Sequence, residues 1–360
     1  MKRRWIRRLL ILVAAAALCL GMVRRARKEE AAPLPAPGSL RVWYSESECP
    51  ADVMEVLLAR CREQTGLWLE VTAFPDEAAL RAAFAKSTPD LFYCSHIRAG
   101  RLWSKGDLAA LDTSPAGAEA ARAIGDWVGL SFFPFGSRLP LLLYDSSKTA
   151  GTFESLKALY TAAGDTPFLV SDDWAELLFT TLYPAGYTMQ GDKTDAENAA
   201  WREAYNALAG AVFQGGFVSV EGNAADYVRA GAVPCAVISS AELAGLTGAN
   251  LRAGLLPLPE GAAAQYPVEL MGFALFKGAD TRAADSFARW LCDSGDGGRL
   301  AMAAGLVPLN MALSGQRSLE RDLAEIAESG VLFCLPSDTV FYENRDDCNR
   351  RLSEALDLLT

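Results

Sequence analysis

The sequence predicts an α/β protein with a largely parallel sheet. Short β-branched and aromatic runs alternate with longer segments of helical periodicity, the rhythm of strand–helix–strand units. The chain has 360 residues and is 51% hydrophobic, enough to build the cores of two ordinary domains. Its net charge of −10 disfavours nucleic acid and anionic membrane surfaces as partners.

The elements follow in order. Leu40–Ser45 reads as a first strand and Asp52–Thr65 as a helix, with Val53, Val56, Leu57 and Cys61 at helical spacing. Gly66 stands where a left-handed cap belongs. Leu67–Phe74 alternates like a half-buried strand, Asp76–Lys86 is a helix, and Asp90–Cys94 is a strand entered from Pro89. After Gly106–Asp112 the pattern loosens until Pro140–Tyr144, a buried strand. Helices are expected at Phe153–Ala163, Asp173–Leu182 and Ala196–Ala211, with a strand at Pro167–Ser171. Strands at Val233–Ser239, Ala253–Leu258 and Met271–Phe276 precede the helix Arg282–Cys292, and helices at Leu319–Glu328 and Asp346–Leu359 end the chain. No solenoid-period repeat is present.

Before the first strand, Lys2, Arg3, Arg4, Arg7 and Arg8 precede the apolar run Leu9–Val23. That run is 15 residues, short of the ~20 a spanning helix needs. Residues 1–28 therefore read as a signal peptide. The positive charges of Arg24, Arg25, Arg27 and Lys28 resist translocation, which leaves an uncleaved N-terminal membrane anchor as the alternative. Cys19 adds a lipid attachment as a third. Residues 29–39 form a Pro-rich tether. Eight cysteines are present without a C-x-x-C pair, which disfavours zinc ribbons and thioredoxin-like motifs. Cys49 with Cys61, and Cys334 with Cys348, could bridge in an oxidising compartment, or the cysteines serve as small buried hydrophobes.

Four stretches, taken in order, carry a resemblance. They are LRVWYS at 40–45 with its helix closing on Gln64-Thr65-Gly66; TPDLFYCSHIRAGRLWSKGDLAALD at 88–112; LPLLLYDSS at 139–147; and PVELMGFALFKGADTRAADSFARWLCDSGDGGRLAMAAGLVPLN at 267–310. Together they span most of residues 40–310. The chain resembles the extracellular solute-binding proteins of ABC importers, in the group that includes maltose-binding and other sugar-binding proteins. The resemblance implies a two-lobed periplasmic-binding-protein-like (type II) α/β fold with discontinuous domains and a hinge. Residues 40–145 plus 266–312 would form lobe one, and residues 146–265 plus 313–360 lobe two. A solute would bind in the interlobe cleft near strand carboxyl ends, close the hinge and pass to an ABC permease. The implied protein is exported to the cell surface or periplasm, acts as a monomer, and is no enzyme.

Candidate solute contacts lie in loops after strands. In lobe one these are Tyr44, Ser45 and Glu46, then Ser95, His96 and Arg98. The aromatic and Asp that maltose-type members offer fall here on Cys94 and Ile97, a departure from the maltodextrin pattern. In lobe two, Asp172, Asp173 and Trp174 offer carboxylates and a stacking face, or equally a helix start with an acidic first turn. Ser239 and Ser240 end another strand, Glu269 precedes the MGF strand at the hinge, and Phe341-Tyr342 precede the last helix. A sugar or oligosaccharide is the expected solute. A polyamine is the alternative, given the acidic Glu46, Asp172 and Asp173. A membrane-anchored sensory protein without transport is a second alternative. With one histidine and no Walker, G-x-G-x-x-G or zinc-type spacing, neither cofactor nor metal is expected. A Cys94–His96 dyad lacks an orienting group.

Overall fold

Alternation along the first strand organises the first half of the molecule. In β1 (Ser39–Ser45) Leu40, Val42 and Tyr44 share one face and Trp43 lies on the other, all buried. Leu40, Val42 and Tyr44 join Leu91 and Tyr93 of β3 (Leu91–Ser95) and pack under Leu57, Leu58 and Cys61 of α1 (Ala51–Thr65). Trp43, Phe92 and Cys94 fall in a second core on the opposite side. The computed structural model describes residues 38–151, 222–257, 266–309 and 318–329, with shorter pieces at 153–154, 158–159, 162, 168–170, 206, 209–210, 217–220, 332–334 and 354.

The remaining strands are β2 (Trp68–Phe74), β4 (Phe132–Arg138), β5 (Pro140–Asp145), β6 (Phe168–Val170), β7 (Phe217–Ser219), β8 (Cys235–Ser239), β9 (Leu251–Leu255), β10 (Tyr266–Leu275), β11 (Val307–Pro308) and β12 (Leu332–Cys334). They form two sheets. The first runs β11–β4–β10–β3–β1–β2, and β12 joins β10 off that path; the second runs β7–β6–β8–β5–β9. The sheets are mixed rather than largely parallel. In the first, β2, β1 and β3 are parallel while β10 runs antiparallel to β3. In the second, β6, β7 and β8 are parallel while β5 runs antiparallel to β8. β10 and β5, each just arrived from the other sheet, run antiparallel to β3 and β4 and to β8 and β9 respectively because they enter from the opposite end, and β11 also pairs antiparallel with β4.

The crossings fix the two halves. Between β4 and β5 only Leu139 intervenes, so Pro140–Asp145, expected in lobe one, pairs within the second sheet. The reason lies in the ladder: Pro140 faces Ser239 across β8, and Leu139 exchanges two bonds with Ser240. The chain returns between β9 and β10. It crosses a third time after β11, when α7 (Ser318–Glu328) packs on β9. Asp322 of α7, 3% exposed, accepts from the Arg252 guanidinium and from Ala253 N–H at 2.8 Å. β12 then pairs in parallel with the first three residues of β10.

Helix boundaries track their caps. Gly66 (φ 73°) ends α1 with its N–H on Arg62 carbonyl, as the sequence reading expects. The buried face of α1 is Met54, Leu57, Leu58 and Cys61, so Val56 points outward at 53% exposure. Asp76 caps α2 (Glu77–Phe84) by accepting from Ala79 N–H at 2.7 Å. Asp280 caps α5 (Thr281–Asp293), which lays Phe287, Leu291 and Cys292 against the first sheet's core. Elements without a counterpart in the sequence reading include β4, β7, β11, β12, α4 (Ala224–Arg229) and α6 (Gly295–Ala303). In β4, Pro134 and Gly136 read as breakers, and the register shift opposite Met271/Gly272 accommodates them as a bulge. The expected helices at Asp173–Leu182, Ala196–Ala211 and Asp346–Leu359 fall mostly or wholly outside the described residues, as does most of Phe153–Ala163.

Gly305, just after α6, shares the backbone conformation of Gly66 (φ 73°) but not its surroundings. A methyl group at Gly66 would meet nothing within 4 Å, whereas at Gly305 it would lie 2.4 Å from the Ser240 carbonyl oxygen in the other half. Gly66→Ala is therefore expected to cost ~1 kcal/mol for the left-handed backbone alone. Gly305→Ala is expected to cost about 2 kcal/mol more, because packed backbone must shift. Chemical denaturation of both variants measures the difference; equal losses would remove the close contact between halves as a source of stability.

Candidate functional site

A groove of about 1010 Å³ runs along the first half, from the carboxyl ends of β1 and β3 down between α2 and α3 (His96–Ser104). The segment after β3, expected as a loop, turns directly into α3. Ser95 accepts from Arg98 N–H at 3.4 Å and so starts the helix. Ser95, Ile97 and Arg98 line the groove there; Glu77 and Arg81 line it from α2. Arg98 donates to Glu77 at 2.7 Å, and its guanidinium lies over the Phe92 ring at 4.7 Å.

At the upper end sits an ion-pair network of which the sequence reading named only Glu269. Arg138, the last residue of β4, donates two bonds to Glu269 Oε2, at 2.5 and 3.1 Å, and one to Glu48 at 3.3 Å. Arg138 and Glu269 face each other in the β4–β10 register, so the pair ties together the two strands that flank crossings. Their side chains are 16% and 10% exposed, against 33% for Glu48. All three line the groove. Glu48 carried a signal in the polar turn after β1. Arg138 carried none, because β4 was not legible as a strand.

Several expected contacts take structural roles instead. Tyr44 is 2% exposed in the core, and burial raises its phenol above the usual range. Ser45 is 1% exposed with its hydroxyl 2.7 Å from that of Ser47, and Ser47 is the residue that lines the groove. Glu46 is exposed in the turn but does not line the groove. His96 is fully buried, and its Nδ1 accepts from Leu270 N–H at 3.0 Å, fastening α3 to β10. Ser240 is fully buried: its N–H donates to Leu139 carbonyl at 2.9 Å and its hydroxyl accepts from Leu139 N–H at 3.3 Å. Ser239 N–H donates to Glu242 at 3.0 Å at the start of a short turn. Each sits where a strand ends, and there polar groups satisfy backbone as readily as they meet solute. Ser95, Arg98 and Glu269 are the expected residues that the groove brings together. Asp172, Asp173, Trp174, Phe341 and Tyr342 lie outside the described residues.

The chemistry of the thiols argues against nucleophilic use. Cys49 and Cys61 are free and buried rather than bridged, as are Cys94, Cys235 and Cys292; Cys348, the expected partner of Cys334, lies outside the described residues. Burial pushes Cys49, Cys61 and Cys235 up to about 12 and raises Cys94 further. A thiol so displaced is neutral at physiological pH and a poor nucleophile. Among the described residues, no group of three or more His, Cys, Asp or Glu could hold a metal ion. No helix among them is long and apolar enough to cross a membrane.

The model of the family described as bacterial extracellular solute-binding protein matches residues 57–317. No curated protein matches the sequence. Among solved structures, the chain is similar to the maltodextrin-binding protein MalE1 of L. casei BL23 at 17% identity and TM-score 0.65, covering 90% of this chain and 94% of that one. It is similar to MalX of Streptococcus pneumoniae, solved with maltopentaose, at 14% identity and TM-score 0.68, covering 89% and 95%. It is also similar to the spermidine/putrescine substrate-binding protein PotD of Streptococcus pneumoniae at 14% identity and TM-score 0.65, covering 89% and 99%. Likeness at these identities bears on the two-lobed fold, which sugar-binding and polyamine-binding proteins share.

Two outcomes test the site's construction. Glu269→Ala takes two hydrogen bonds from the buried Arg138 guanidinium and is expected to cost about 3 kcal/mol of stability, whereas Glu48→Ala, which removes one bond from a more exposed carboxylate, costs less than ~1 kcal/mol. Equal costs in urea titrations would show that exposure does not rank the two pairs. In iodoacetamide labelling at pH 8 read by peptide mapping, Cys49, Cys61 and Cys235 are expected to stay unmodified in the native protein and to label fully in denaturant. Their raised pKa keeps them protonated there, so rapid native labelling would contradict the burial.

Proposed function

We propose that this chain, which belongs to the bacterial extracellular solute-binding protein family, is the extracytoplasmic receptor of an ABC importer, and that it captures a sugar or oligosaccharide between its halves and hands it to a membrane permease. One observation carries this reading: two mixed sheets, each holding an antiparallel strand just arrived from the other, joined where a single residue separates β4 from β5. A body joined by such crossings can bend at them. A solute that touches both halves favours the closed form by the extra contacts made there. The groove supplies hydrogen-bonding groups on the first half through Ser47, Ser95, Arg98, Arg138 and the carboxylates Glu48 and Glu269. Asp172, Asp173 and Trp174 are proposed as the facing wall of the second half, with Trp174 stacking on a sugar ring.

A saccharide is favoured by the solved neighbours described with maltodextrins. The polyamine alternative is disfavoured by the groove, whose charged lining is basic in excess. The protein acts by binding, without chemical change to the solute. It works outside the cytoplasm as a monomer without cofactor, and residues 1–39 serve as its export signal and tether, cleaved or retained.

A thermal-shift screen against saccharides, polyamines and amino acids tests the reading, since a ligand that binds only the native state raises its melting temperature. Saccharide hits are expected. Hits confined to polyamines or amino acids would overturn the sugar assignment. Against the best saccharide, Trp174→Ala is expected to weaken binding by more than ~1 kcal/mol, and unchanged affinity by calorimetry would remove Trp174 from the site.

A further inference from the structure

We infer that the solute taken by this groove carries an acidic group, a carboxylate or a phosphate, read by the wall that α2 and α3 present; this deepens the proposed solute-binding role and rests on the groove being the solute site. The lining holds six basic side chains, Arg81, Arg98, Arg101, Lys105, Arg138 and Lys277, against four acidic ones, Glu48, Glu77, Asp107 and Glu269. This excess stands on a chain whose net charge is −10. Arg138 is matched by Glu48 and Glu269 at the upper end. The excess therefore lies along the rest of the lining, where Arg81 of α2, Arg98 and Arg101 of α3, Lys105 just after α3 and Lys277 just after β10 stand against Glu77 and Asp107.

On that wall one carboxylate serves two guanidiniums. Glu77 accepts from Arg98 at 2.7 Å and lies 3.8 Å from Arg81. A second oxyanion placed there would share Arg81 and Arg98 with Glu77 rather than compete with a saturated pair. Arg98 is also held in orientation, its guanidinium over Phe92 at 4.7 Å and over Phe84 at 5.9 Å. A planar guanidinium so fixed loses little further freedom on pairing, and its forked donors match carboxylate and phosphate oxygens. Phe84, Ile97, Leu102 and Phe276 line the same groove, and apolar walls strengthen the attraction by lowering the local dielectric. A neutral sugar makes no use of this positive excess, and an amine is repelled by it.

Calorimetry of the full chain tests the inference with three probe sets: neutral glucose and galactose, their uronates glucuronate and galacturonate, and succinate as an acid that is not a sugar. Each uronate is expected to bind at least ~10-fold more tightly than its neutral parent at low salt. That ratio should shrink when ionic strength rises from about 0.05 to 0.5 M. It should shrink equally in the Arg81→Gln/Arg101→Gln double variant, whose two sites are exposed and so spare the core. Binding of neutral sugars without a uronate preference would overturn the inference and leave the saccharide reading standing. Binding of succinate alone would support the acidic group and remove the sugar. A uronate preference that survives both salt and the double variant, or no binding of any acidic probe, would overturn the inference.

Discussion

The molecule depends on how one residue joins two sheets. Leu139 is all that separates β4 from β5, and it is 1% exposed. A link that short has no room to turn its peptide groups to water, so both must find partners inside. Ser240 supplies both: its N–H donates to Leu139 carbonyl and its hydroxyl accepts Leu139 N–H. Proline at the next position suits the start of a strand, where a missing N–H costs no ladder bond. The close approach of Gly305 to the Ser240 carbonyl brings the end of α6 against the same point. Crossing, strand end and helix end thus meet with no spare volume.

Around this point the polar groups divide by what they satisfy. His96 holds β10 through Leu270, Ser240 holds the crossing, and Glu269 with Arg138 holds β10 to β4. These bonds set the geometry of the groove without being its exposed surface. One core cluster belongs to the first half alone, and the other runs from Phe92 and Cys94 to Leu141, Leu143 and Ile238 of the second sheet. The halves are therefore joined through a continuous apolar interior, and bending must be accommodated at the crossing strands.

Legibility in the sequence followed the range of the forces involved. α1, with Gly66 as its cap, and α5 were readable because periodicity and caps act within one or two turns. β4 was unreadable because Pro134 and Gly136 obey a rule that only its partner β10 can suspend, through a bulge. The polar residues after β1 and β3 were flagged as contacts, yet Ser47 and Glu48 line the groove while Ser45 and His96 lie beneath it. Whether Ser45 or Ser47, His96 or Arg98 emerges is set by how the turn after β1 and the first turn of α3 pack on the core, and spacing along the chain does not report it.

By itself the sequence determined the α/β rhythm, the apolar inward faces, the basic and apolar start and the order of segments that marks the family. Those properties depend on neighbours a few residues away or on simple composition. Only the tertiary structure decided the mixed direction of the sheets, the crossing at Leu139, the burial of His96 and Ser240, and the gathering of Arg98, Arg138, Glu48 and Glu269 along one groove. Arg138 and Glu269 are 131 residues apart in the chain and meet at 2.5 Å. Such a meeting is fixed by which strands pair, a choice that rests on the packing of the whole core and that no short stretch of sequence contains.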